Sequence, residues 1–173
     1  MISQKMQDAF NDQINAEMYS AYLYYAMAQY FEATSLNGFA AWMKTQAEEE
    51  MMHAVKFADQ VNERDGRVEL KAIEAPPLEW KNPLEVFEEV LKHEQKVTGL
   101  INDLVTLSQE EKDHAAYSFL QWFVNEQVEE EATAREILDD LKLIGDDRSG
   151  LFMVNRELGQ RQPSNITSDS GSE

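Results

Sequence analysis

The chain has 173 residues, 43% of them hydrophobic, which is enough for one domain around a single core. Its formal charge of −18, from 33 acidic and 15 basic residues, argues against nucleic acid as a partner and suits the attraction of cations. The absence of cysteine excludes disulfides, thiolate zinc sites and iron–sulfur clusters.

Helix signals cover most of the length. The first predicted helix spans residues 3–31, with Ser3 as its N-cap. After a short break the second spans 38–64, with Gly66 closing it. An irregular stretch, 67–83, holds Pro76, Pro77 and Pro83. The third helix runs from Pro83 to about 108, the fourth from 112 to 144 before Gly145, and a short fifth from 151 to 160. The domain ends at 162. The tail 163–173, PSNITSDSGSE, is small and polar and is expected to be disordered. Its Asn165-Ile166-Thr167 sequon is read as chance. There is no apolar run of about 18 residues to cross a membrane. The first residues lack the order of a secretion signal, so a cytoplasmic protein is expected.

Loop lengths suggest the topology. The breaks between helices one and two, and three and four, are short and make antiparallel hairpins. Helices of this length extend about 40 Å. The long connection can reach roughly 55 Å when extended. It can therefore cross the bundle and return helix three parallel to helix two. The expected fold is all-α: a four-helix bundle with one long crossover and a short C-terminal helix.

Each long helix carries an apolar stripe at helical spacing, and each stripe is interrupted by a carboxylate. The first reads Phe10, Ile14, Glu17, Ala21, Tyr24, Ala28, Phe31. The second reads Phe39, Trp42, Gln46, Glu50, His53, Phe57, Val61, and the third Phe87, Val90, Glu94, Val97, Ile101, Leu104. The fourth reads Phe119, Phe123, Glu126 or Gln127, Glu130, Ile137, Leu141. Any one carboxylate could sit at a stripe's edge and reach water. A buried, ionised one costs several kcal/mol unless paired or holding a metal.

All four stand near the middle of their helices, so they fall in one layer. Glu50 and His53, three residues apart, face one point. Carboxylates beside an imidazole suit iron or manganese. Two divalent cations would balance Glu17, Glu50, Glu94 and Glu130. His93 and His114 flank the stripes and are expected to be solvated.

Five segments then carry a resemblance: DQINAEMYSAYLYYAMAQYF, GFAAWMKTQAEEEMMHAVKF, GRVELKAIEAPPLEW, HEQKVT and FLQWFVNEQVEEEA. Over about residues 3–162 the chain resembles the non-haem ferritins of bacteria and archaea. The resemblance implies iron storage in a cage of 24 chains. It also implies a ferroxidase centre that oxidises Fe(II) with dioxygen or hydrogen peroxide and deposits a ferric mineral. In it Glu17, Glu50 and His53 resemble the ligands of a first iron, with Glu50 bridging to a second that Glu94 also holds.

Gln127 matches the glutamine near the oxygen site, and Tyr24 the tyrosine beside the centre. Glu49, Glu126, Glu129 and Glu130 resemble a third iron site. Haem-binding relatives carry a second Glu-x-x-His on the fourth helix, where this chain has Gln127-x-x-Glu130. Met51 stands where their haem methionine does, but haem is not expected. A diiron oxidase acting on another substrate and a passive metal-binding bundle are the rival readings. Gln127 and the lack of cysteine weigh against the first, and Tyr24 with the complete ligand set against the second.

Overall fold

The computed structural model describes residues 1–161. The tail from 163, with its sequon, lies outside the described residues. The described residues form five helices: α1 Gln4–Ala33, α2 Asn37–Glu63, α3 Pro83–Glu110, α4 His114–Ile144 and α5 Arg148–Leu158. Among the described residues there is no strand. Helix α1 pairs with α2, α3 with α4, and α1 lies against α3.

The segment between α2 and α3 runs the length of α1. Near its start, Asn11 donates to the Arg67 carbonyl at 3.1 Å and accepts from the Glu69 amide at 3.0 Å. Asn15 donates to the Ala72 carbonyl at 3.1 Å. At the far end Trp80 packs edge-on against Tyr30. The connection therefore crosses the bundle and sets α3 parallel to α2, as its length allows.

Ser3 caps α1, accepting from the Met6 amide at 3.2 Å. Asn82 and Asp113 cap α3 and α4 in the same way. Two helix boundaries differ from expectation through their turn residues. Asp65, not Gly66, takes the left-handed turn after α2, and the Gly66 amide closes the helix on the Val61 carbonyl at 2.9 Å. Lys112 is likewise a left-handed turn residue and not the first residue of α4. Ser35, Asp65 and Lys112 thus end three helices in one pattern, with the next amide bonded to the carbonyl five residues back. In the two hairpins the residue donating that bond, Leu36 or Asp113, is also the N-cap of the following helix. Such economy is what keeps the hairpins short.

Helix α5 starts three residues earlier than its first apolar residue suggests, because Asp147 caps it from Ser149 and Gly150. It then caps another helix. Leu36 offers α2 no side-chain acceptor, and Asn155 Oδ1 takes that place, accepting from the Gly38 and Phe39 amides at 2.9 and 3.2 Å. A β-carbon on Gly38 would lie 1.6 Å from the Asn155 carbonyl oxygen, so only glycine permits this approach. Asn155→Ala should lower stability by about 1–2 kcal/mol in denaturant melts, while Asn155→Asp, which keeps the acceptor, should recover most of it.

The stripes face inward, and the core they build is split. One apolar cluster, around Phe31, Phe39, Met43 and Phe87, fills the end near α5. Another, around Phe10, Phe57, Ile101 and Phe123, fills the opposite end. Between them lies a buried polar layer that includes Gln13, Glu17, Gln46, Glu49, Glu50, His53, Glu94 and Gln127.

Candidate metal centre

Each of the four long helices delivers a carboxylate to this layer from the middle of its stripe. Ligand atoms of Glu17, Glu50 and His53 lie within 4.8 Å of one another, and all three residues are buried. His53 Nδ1 is 3.3 Å from Glu50 Oε2. The imidazole is wedged edge-on against Trp122 and Phe123, which fixes its plane. Glu17 Oε1 accepts from Gln13 at 2.8 Å, but its Oε2 has no hydrogen-bond partner among the described residues. A buried carboxylate oxygen without a donor is costly unless a proton shared with Glu50, or a cation, sits against it.

Glu94 is held differently. Its Oε1 accepts from the Tyr24 hydroxyl, and its Oε2 from the Gln127 amide at 3.2 Å. Gln127 also reaches the Glu94 carbonyl and Thr98, so its NH2 faces this carboxylate. Glu130 is joined to the group through Gln46, whose NH2 donates to Glu130 at 2.8 Å and to Glu50 at 3.2 Å. Of the other glutamates expected near a third site, Glu49 is buried, Glu126 half-buried and Glu129 exposed.

The electrostatics are those of crowded, dry carboxylates. Burial, and then the charge of Glu50, pushes Glu17 from 4.5 up to about 8. Burial also raises Glu50 and Glu94, reinforced by Glu130 at the first and by Glu50 at the second. Glu130 is raised by burial and by Glu94, and Glu126 by burial. The Tyr24 hydroxyl is pushed well above its ordinary value by burial and by Glu94, so it stays a donor. Without metal this layer holds extra protons, and a bound cation would release them.

Several contributors were not read from the sequence as part of the site. Gln13 and Gln46 each stand four residues before a layer glutamate and donate to it. That shared Gln-x-x-x-Glu spacing on α1 and α2 was a readable signal. His93 is half-buried rather than freely solvated: its Nε2 lies 2.8 Å from Ser20 Oγ, its ring packs against Tyr19 and Tyr24, and burial lowers it to about 4. His114 is exposed, as expected. Met51 points outward, 44% exposed, into a surface groove with Met18, Tyr22, Tyr25 and Ile73.

Comparison with known proteins agrees with this geometry. The model of the ferritin-like domain family matches residues 7–144. A bacterial non-heme ferritin of Bacteroides fragilis is 49% identical over 161 residues, covering 93% of this chain and all of the relative. One from Staphylococcus haemolyticus is 43% identical over 161 residues, covering 93% of this chain and 97% of its own. Among solved structures, an open pore ferritin from Archaeoglobus fulgidus superposes with a TM-score of 0.93 at 54% identity, covering 94% of this chain and all of the other. An engineered closed form of that protein fits with the same score and identity, covering 94% of this chain and 99% of the other.

Proposed function

We propose how this layer works from one premise: the chain belongs to the ferritin family. It is an iron-storage protein with ferroxidase activity, acting within a protein cage. In our reading two Fe(II) ions bind as substrate, the first by Glu17, Glu50 and His53 and the second by Glu94 with Glu50 bridging. Each iron loses one electron. Dioxygen accepts both and leaves with two protons as hydrogen peroxide, or hydrogen peroxide accepts both and leaves with two protons as water. Hard carboxylate oxygens favour the Fe(III) product. The orphaned Glu17 Oε2, buried beside Glu50 and His53, is the observation that carries this assignment.

The two iron positions are unequal. Glu17 has an oxygen with no partner, whereas both oxygens of Glu94 already accept hydrogen bonds from Tyr24 and Gln127. A second metal must compete with those donors, and Gln127 presents its NH2 rather than a charged ligand. We infer that the second iron is held more loosely and passes on as product. Glu49, Glu126, Glu129 and Glu130 then form the third site on its way to the mineral. The assembly we propose is a cytoplasmic cage of 24 chains. The apolar residues that α5 leaves exposed, Phe152 and Met153, support burial of that helix between subunits.

The test is aerobic addition of Fe(II) to the assembled protein, with ferric absorbance and particle size followed together. Accelerated oxidation that continues far beyond three irons per chain, inside particles of constant size, is expected. A plateau at two per chain would indicate a resident cofactor, and no acceleration over buffer a passive binder. Either result would overturn the reading.

A further inference from the structure

The last described residue returns to the metal layer. Arg161 lies beyond the end of α5, yet its guanidinium sits 4.6 Å over the Trp42 ring. It donates through Nη1 to Gln46 Oε1 at 2.8 Å and through Nη2 to Glu49. The Glu49 side chain is 3% exposed and that of Arg161 21%. A carboxylate that dry requires compensation, and this arginine supplies a full charge with a directed hydrogen bond.

The contact with Gln46 reaches further. A guanidinium can only donate, so it fixes which end of the Gln46 amide faces it. The oxygen turns to Arg161 and the NH2 turns to Glu50 and Glu130. One side chain therefore neutralises Glu49 directly and orders two more carboxylates through a single amide. Its position is set by the docking of α5: Asn155 caps α2, and Gly159 packs so closely that a β-carbon there would meet the Gly38 α-carbon at 3.2 Å.

We propose that Arg161 is a tethered counter-ion for the exit side of the centre, a positioning residue that occupies Glu49 and Gln46 until a metal ion displaces it. The proposal rests on the reading of Glu49 as part of a third site. A short tether keeps the guanidinium at high local concentration. A cation arriving at Glu49 must expel it, and it returns when the cation leaves. The third site is thereby kept weak, so that iron passes through it without lodging. Trp42 provides a face on which the guanidinium can rest.

Calorimetric titration of the assembled protein with Zn(II), a redox-inert probe, tests this. Glu49→Gln identifies the third-site event as the one it weakens. Arg161→Gln should tighten that event about tenfold, the scale of one lost charged hydrogen bond competing with the metal. Arg161→Lys, which keeps the charge, should fall between wild type and Arg161→Gln. In a Glu49→Gln background, Arg161→Gln should no longer tighten that event. If Glu49→Gln weakens an event that Arg161→Gln and Arg161→Lys leave unchanged, Arg161 merely anchors α5 and the proposal fails while the third site stands. If Glu49→Gln weakens no event, the third-site reading fails and this proposal with it.

Discussion

Replacing His53 with alanine is expected to remove the fast phase of Fe(II) oxidation, slowing it by about 100-fold or more. Loss of a group that merely orients a metal ligand already lowers affinity or activity about 10- to 100-fold, and His53 is assigned as a ligand itself. It is the imidazole that lies among the grouped carboxylates, with Nδ1 3.3 Å from Glu50 Oε2. No neighbour can replace it, because Trp122 and Phe123 form the wall behind it. Its removal has a second effect. His53 opposes the upward shift of Glu17 and Glu130, so without it the carboxylates hold their protons more firmly against an incoming cation. Stopped-flow oxidation under air is the measurement. A fast phase that survives in a folded His53→Ala protein would remove His53 from the centre, whereas slow mineral growth alone would be consistent with the assignment.

The stripes were legible because a helix repeats within a few residues. Phe10 through Phe31, Phe39 through Val61 and Phe87 through Leu104 are all buried as their spacing requires. The carboxylates on them were legible for the same reason, since a charge in an apolar stripe is a local contradiction. What stayed hidden was set by partners distant in sequence. Asn155 caps α2 from more than a hundred residues away, and nothing near Leu36 announces it. Arg161 reads as an ordinary residue before a polar tail until the fold brings it over Trp42 and beside Glu49.

Local chemistry also misled at the turns. Gly66 was the obvious residue for a left-handed turn, but the turn closed one residue earlier, on Asp65. His93 lies one position from the stripe of α3, so its partial burial depended on how closely α1 packs there, through Tyr19, Ser20 and Tyr24. The asymmetry of the centre was only half visible. Gln127 could be read as a weak ligand, but only the fold shows its NH2 turned to Glu94.

The metal-free protein should lose stability as pH rises from about 5 to about 8, and bound Zn(II) should reverse that trend. The sign follows from the carboxylates. Glu17 is raised from 4.5 to about 8, and Glu50, Glu94 and Glu130 are raised with it, burial being the first cause each time. Between those limits the folded chain binds more protons than the unfolded one. The layer's contribution is thus fully present below about 4.5 and is lost as pH passes the raised values. Ordinary carboxylates finish titrating below about pH 6 and lysines begin above about pH 9, while His93, lowered to about 4, is a single group that opposes the trend only below about pH 6.5. With Zn(II) bound the same groups are ionised, and rising pH removes the protons that compete with the metal.

Thermal melts at about pH 6 and pH 8.5, with chelator and with Zn(II), should show midpoints moving in opposite directions by several degrees. Titration in two buffers of different ionisation heat should show protons released on binding near neutral pH. Glu17→Gln should flatten the metal-free trend, because an amide keeps the shape of the protonated carboxyl without its titration. A metal-free protein that gains stability across this range would mean that the layer is already ionised and compensated. The four glutamates would then form a solvated ion network, and iron would have no dry, proton-loaded site to displace.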